Sequence, residues 1–160
     1  MRSMFTRVLF VLAVAALPAL PAMAADNSVG TWKANIAKCK YSPGPLPLKS
    51  YTLVRDAAPG GIKVTVTGER TDGTPISSNY TAKYDGSASA VTGAGTPYDS
   101  VAIKQVDADT FTTETKNSTT KYRSSLRTVV SHDGKTMTIT GKGTNADGKP
   151  MTLTLVLEEQ

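Results

Sequence analysis

The chain reads as an all-β protein: an antiparallel up-and-down meander closed into a barrel of about 8–10 strands. Three observations predict this. Apolar and polar residues alternate with period 2, as in Ile62-Lys63-Val64-Thr65-Val66-Thr67 and Met151-Thr152-Leu153-Thr154-Leu155. The breaks between such runs carry turn chemistry: Pro59-Gly60-Gly61, Asp72-Gly73, Asp85-Gly86, Asp133-Gly134 and Asp147-Gly148. No window of helical length shows an apolar stripe at the helical period, so at most one short helix is expected. A meander of this many strands closes most readily into a barrel, because closure removes exposed edges. A two-sheet β-sandwich satisfies the same pattern and is the alternative.

Residues 1–24 stand apart from the fold. Arg2 and Arg7 precede the apolar run Val8–Leu17, Pro18 and Pro21 break it, and Ala22-Met23-Ala24 places small residues at both cleavage-determining positions. This is the pattern of a secretory signal peptide cut after Ala24, and the run is too short for a membrane anchor. Residues 25–160 are then a single β-barrel domain, exported to the periplasm or beyond the cell.

Strands are expected at 29–34, 50–56, 62–70, 76–84, 98–106, 110–117, 121–131, 135–142 and 151–158. One hairpin design is used twice. Val64-Thr65-Val66-Thr67-Gly68 followed by Asp72-Gly73-Thr74-Pro75-Ile76 parallels Met137-Thr138-Ile139-Thr140-Gly141 followed by Asp147-Gly148-Lys149-Pro150-Met151. In both, Asp-Gly makes the turn and Pro starts the next strand, where no ladder donor is needed. Ser42-Pro43-Gly44-Pro45-Leu46-Pro47 fits neither helix nor central strand and is expected to wrap one end of the barrel. Gly86–Pro97 is small and glycine-rich and is expected to be a flexible loop that gates a barrel mouth.

Charge and composition narrow the function. The formal net charge is +5, and loss of Arg2 and Arg7 with the signal peptide brings it near +3. Basic residues are scattered and not interleaved with aromatics, which argues against nucleic-acid binding. Cys39 is the only cysteine, so no internal disulfide forms and an unpaired, dispensable thiol is expected. The strands are short for a lipid-facing barrel and aromatics are few, so an outer-membrane barrel is disfavoured. Outward Thr-x-Thr runs are the ordinary dress of solvated strands rather than a flat ice-binding array, since a barrel twists too strongly.

Catalytic chemistry finds few candidates. His132 is the only histidine and stands beside the Asp133-Gly134 turn, with no nucleophile placed near it. One His and one Cys do not make a zinc site, and the Asp-rich turns lack the ligand spacing of a calcium loop. The expectation is a non-enzyme with no catalytic residue, no metal and no cofactor.

The apolar side of the strands is the informative one. Ile62, Val64, Val66, Ile76, Tyr80, Ala82, Tyr84, Val101, Ile103, Phe111, Tyr122, Leu126, Val130, Met137, Ile139, Met151, Leu153, Leu155 and Leu157 share it, with Ser78 and Ser124 as small members. In a soluble barrel this side points in. It carries no charge in this reading, and Tyr80, Tyr84 and Tyr122 are the polar groups expected to orient a ligand. Any ligand would then be neutral or keep a charged head at the mouth.

Gly30-Thr31-Trp32-Lys33, opening the first strand, resembles the Gly-x-Trp signature of lipocalins and fatty-acid-binding proteins, the calycin barrels. Asp133–Thr140 and the charged end Leu157–Gln160 are similar to that group as well, and the whole resembles small exported bacterial proteins. The resemblance implies that Trp32 closes one end of the barrel, that Gly30 has a structural role, and that the interior carries a small apolar molecule. Two departures stand against it. The last strand lacks the Arg-x-Tyr that holds a carboxylate in fatty-acid-binding proteins, and Arg123 and Arg127 lie on an earlier strand and its polar face. The functional expectation is a barrel binding a small, mainly apolar molecule; the alternative is a non-catalytic structural or protein-interaction barrel with a solid core.

Overall fold

The computed structural model describes residues 25–160; residues 1–24, where a signal peptide is expected, lie outside the described residues. Its strands, in chain order, are β1 (Gly30–Ala34), β2 (Lys40–Ser42), β3 (Leu48–Ala58), β4 (Gly61–Arg70), β5 (Pro75–Lys83), β6 (Asp85–Ala90), β7 (Thr92–Ala94), β8 (Ser100–Gln105), β9 (Thr110–Lys116), β10 (Arg123–Val130), β11 (Thr136–Thr144) and β12 (Pro150–Glu159). One 3₁₀ turn, Ile36–Lys38, follows β1. All strands belong to one antiparallel sheet, ordered β6-β8-β9-β10-β11-β12-β1-β3-β4-β5-β7, with β2 continuing the line of β1 along β12.

The two ends of this order are covalently continuous, since only Val91 separates β6 from β7. The segment pairs with β8 through its first half and with β5 through its second. It thereby draws the sheet into a nearly closed barrel, and the sandwich alternative falls away. This corrects the expectation of a flexible loop over Gly86–Pro97, most of which is strand. Gly93 and Gly95 serve close approach: at Gly93 (φ +101°) a Cβ would lie 2.1 Å from the Ser77 carbonyl oxygen. Propensity alone could not show that, because Gly, Ala and Ser pack poorly on a pleated surface and read as loop.

Alternation decides what faces inward. Ile62, Val64, Val66, Val101, Ile103, Phe111, Met137 and Leu157 are essentially inaccessible, as the period-2 pattern predicts. Across β3, β4 and β5 the inward residues form rows: Tyr51–Gly68–Ile76, then Leu53–Val66–Ser78, then Arg55–Val64–Tyr80, then Ala57–Ile62–Ala82. Arg55 is 6% exposed, which overturns the expectation of a charge-free interior. The sequence leaves β3 ambiguous: Tyr51, Leu53 and Arg55 alternate with Thr52, Val54 and Asp56, and each set holds one aliphatic residue and one charge.

Connections alternate between two ends. One gathers residues 25–28 with the β3–β4, β5–β6, β8–β9 and β10–β11 turns. The other gathers the β2–β3 segment with the β4–β5, β7–β8, β9–β10 and β11–β12 loops. Several turns are pinned by a side-chain oxygen accepting the amide two residues on: Asp72 from Thr74, Asp85 from Ser87, Asp107 from Asp109, Asp133 from Lys135 and Asn145 from Asp147. The Asp-rich turns are thus Asx turns. The Thr74 and Asp109 amides hold the carboxyls of Asp72 and Asp107 below the usual carboxylate range, and the Ser87 and Ser131 side chains, followed by the Ser87 and Lys135 amides, do the same for Asp85 and Asp133.

Candidate functional site

A cavity of about 360 Å³ occupies the second end, at the lower side of the range of small-molecule sites. Leu46, Pro47 and Leu48 enter it from the proline-rich segment, which wraps this end as its composition predicts. Gly95, Thr96 and Pro97 border it from the β7–β8 loop, and Asn145–Asp147 from the β11–β12 loop. Ile76, Leu126, Ile139, Met151, Leu153 and Leu155 supply apolar wall from the strands. Arg70 is the cation among the lining residues.

Four tyrosines line this cavity: Tyr41, Tyr51, Tyr98 and Tyr122. The Tyr98 and Tyr122 rings stack with centroids 6.3 Å apart. The Tyr122 hydroxyl donates to Ser124 Oγ at 3.5 Å, and Ser124 shares a 2.6 Å hydrogen bond with Thr115. The Tyr41 hydroxyl reaches Met151 Sδ at 3.7 Å. Burial raises the phenols of Tyr51, Tyr98 and Tyr122 above their ordinary range, so all three are hydroxyl donors at neutral pH.

Of the tyrosines expected to orient a ligand, only Tyr122 lies on this wall. Tyr80 points into the barrel two rows deeper than Ile76, and burial raises its phenol too. Tyr84 belongs to the opposite end. Tyr41, Tyr51 and Tyr98 escaped the sequence reading because Tyr41 sits on a three-residue strand, Tyr98 in a loop, and Tyr51 on the ambiguous β3.

The opposite end is filled in its interior by Trp32 and Phe111, with a cleft of about 360 Å³ among its terminal residues, between Asp26, Val29, Ala57, Gly60, Tyr84 and Gln105. Trp32 is 1% exposed and its indole N–H donates to the Ser28 carbonyl at 2.8 Å, so the tryptophan is buried as expected. Gly30 adopts φ +144°, a conformation that L side chains rarely take, just where the chain enters β1. The Asp26 carboxylate accepts from the Ser28 amide at 2.9 Å, from the Ser28 hydroxyl and from the Tyr84 hydroxyl. Arg55 Nε donates to Ser28 Oγ at 3.0 Å, and its guanidinium lies 5.5 Å from the Phe111 ring centroid. Tyr84 packs on the same ring at 5.3 Å. Burial, and then the bond to Asp26, push the Tyr84 phenol up to about 12.

Other candidates lie outside both ends. Cys39 is a free, half-buried thiol that donates to the Asn35 carbonyl at 3.2 Å and accepts the Val156 amide at 3.4 Å. His132 is fully exposed in its turn, 3.9 Å from Asp109. Among the described residues, no three His, Cys, Asp or Glu side chains converge to hold a metal, and no helix is long and apolar enough to cross a membrane.

These features define an antiparallel β-barrel whose interior is filled at the Trp32 end and hollow at the tyrosine-lined end. No family model and no curated protein matches the chain. Solved structures similar to it include two β-barrels. One is EF1p2_mFAP2b bound to DFHBI, at 11% identity and TM-score 0.47, covering 84% of this chain and 94% of that one. The other is a redesigned β-barrel, mFAP1, bound to DFHBI, at 16% identity and TM-score 0.43, covering 81% and 94%.

Proposed function

We propose that this chain is an exported, non-catalytic barrel that holds one small, mainly apolar molecule at its hollow end. The observation that carries the reading is the apolar, tyrosine-rimmed cavity of about 360 Å³ that the inward faces of β5, β10, β11 and β12 leave at this end of the barrel. A solid-core structural barrel has no reason to leave Leu153, Leu155, Ile139 and Met151 lining such a space. Tyrosine hydroxyls around an apolar wall are the few fixed polar groups that orient a ligand. Export rests on the basic, apolar and small-residue order of Arg2 to Ala24.

Titration with Nile red, a neutral hydrophobic dye, tests the binding. Saturable one-to-one binding is expected, weakened about tenfold or more by Leu153→Trp, which fills the cavity from β12. Absence of saturable binding, or binding indifferent to that substitution, would support the solid-core barrel instead. Export is tested by fractionating the host cell: the mature chain should begin at Ala25 outside the cytoplasm, and an uncut cytoplasmic chain would refute it.

A further inference from the structure

Basic residues are scattered along the chain, but strand register gathers six of them on one outer wall of the barrel. Lys104, Arg127 and Lys40 share one outward row across β8–β12 and β2. Lys142 stands on the next row, and Lys116 and Arg123 face each other directly on the third. All six are exposed. The only carboxylate on these rows is Glu114, which already accepts the Ser125 hydroxyl. Asp99 and Asp107 lie at the two ends of the wall and accept from Ser118 and from the Asp109 amide. The rest of the outer surface is arranged differently. Lys33 stands opposite Glu158, Lys63 opposite Asp56, and Lys49 pairs with Glu69 at 2.8 Å. Among the described residues, no ion pair includes any of the six. Two like charges directly opposite on adjacent strands destabilise a sheet, so the Lys116–Arg123 pair is a cost that local structure does not offset.

We propose that this wall binds a linear acidic polysaccharide, whose carboxylates meet the six cations and whose hydroxyls meet the serines and threonines between them. The proposal is independent of the cavity. Lys104 and Lys40 are five strand spacings apart, about 24 Å along the sheet. With β6 and β7 counted as one closing position, the strand order holds ten positions, so the cations reach half-way round the barrel. A flat bilayer meets only a strip of such a convex wall, and the outward residues of β8–β12 include no aromatic side chain to anchor in lipid. The same lack of aromatics leaves the bases of a single-stranded nucleic acid nothing to stack on. A flexible polyanion follows the curve and reaches all three rows. A shallow depression of about 530 Å³ lies within the wall, bordered by Arg123, Ser125, Lys142 and Thr152 among others, where cations and hydroxyls alternate.

Calorimetric titration of the purified chain with polygalacturonate, a linear polyuronate, tests this. Binding is expected at about 50 mM salt and should weaken by about tenfold or more at about 200 mM, as several charge contacts require. The combined substitution Arg123→Gln, Arg127→Gln and Lys142→Gln should weaken it by about tenfold or more. The combined substitution Lys33→Gln, Lys63→Gln and Lys83→Gln removes the same net charge from elsewhere on the surface and should leave binding within about twofold of the wild type. All six positions are exposed, and unchanged Trp32 fluorescence in both variants checks the fold. Absence of binding, or equal weakening by the two variants, would overturn the proposal, the second by reducing it to net charge. Tighter binding of oligo(dT) than of polygalacturonate would overturn it in favour of nucleic acid. Equally tight binding of phosphatidylglycerol vesicles, lost in the first variant, would overturn it in favour of a bilayer.

Discussion

The two ends of the barrel are built from the same meander and do opposite things with it. At the filled end, Trp32, Phe111, Tyr84 and Arg55 close the interior over a polar cluster whose hub is Ser28. At the hollow end, tyrosines and leucines stand back around open space. The difference comes from the connections. The segment Ala25–Ser28 draws the filled end together, with the Asn27 amide donating to the Ala108 carbonyl and the Gln105 side chain to that of Ala25. The hollow end is crossed by the longer proline-rich and β7–β8 segments, which cover it without filling it. Packing density is therefore a local choice, and stability and binding are expected to separate along the barrel axis.

The largest effect should come from breaking the filled end at its centre. Trp32→Ala is expected to cost about 3–5 kcal/mol in denaturant unfolding, because a large indole with 1% exposure leaves a cavity and an orphaned Ser28 carbonyl. A loss under about 1 kcal/mol would mean that the indole is not part of the seal.

The comparison sharpens within one strand. Leu157 on β12 is fully buried, whereas Leu153 on the same strand borders the cavity. Leu157→Ala should cost about 2–5 kcal/mol and Leu153→Ala about 1 kcal/mol, since the second site is already part-empty. Equal losses measured by chemical denaturation would erase the distinction between the ends.

Asp26→Ala should cost about 1–3 kcal/mol, by leaving the Ser28 amide and two hydroxyls without their acceptor. Nile red affinity should not move, because the cavity is at the other end; a parallel loss would show that the ends are coupled.

Alkali reaches both ends. The phenols of Tyr51, Tyr80, Tyr84, Tyr98 and Tyr122 are raised in the fold, chiefly by burial. A raised folded value means that the contribution is complete below the unfolded value of about 10 and is lost as pH climbs beyond it. Stability should fall above pH of about 10, towards 12 for Tyr84. Tyrosinate absorbance should show most phenols titrating late or together with unfolding. A simple titration of these five tyrosines near their free value, with the fold intact, would contradict their burial.

The smallest effect is expected at Cys39. Its thiol makes only weak hydrogen bonds to Asn35 and Val156, so Cys39→Ser should change stability by under about 1 kcal/mol and leave the oligomeric state alone. A disulfide-linked dimer abolished by the substitution would reverse this.

How much of this was legible beforehand differs between the regions. At the filled end the inward aliphatics follow from a clear period-2 pattern, which has only one side that can be buried, and the roles of Trp32 and Gly30 are what the Gly-x-Trp resemblance implies. At the hollow end the pattern shows Tyr122, the apolar wall of Ile76, Leu126, Ile139, Met151, Leu153 and Leu155, and the proline-rich wrap. The other tyrosines there sit where alternation gives no signal, on a short strand, in a loop or on the ambiguous β3.

The sequence by itself determined the class of fold, the inward face of most strands, the Asp-Gly turns and the burial of Trp32. Each of these follows from local rules: side chains alternate across a pleated strand, and turns demand particular backbone angles. Only the tertiary structure decided that Gly86–Ala94 closes the sheet, that Arg55 rather than Asp56 faces inward, and that four tyrosines surround one cavity. Those outcomes depend on which strands become neighbours, and neighbours fixed by a closing barrel are far apart along the chain. A charge is admitted to the interior when distant residues such as Ser28 and Phe111 arrive to meet it, and no local pattern records that arrival.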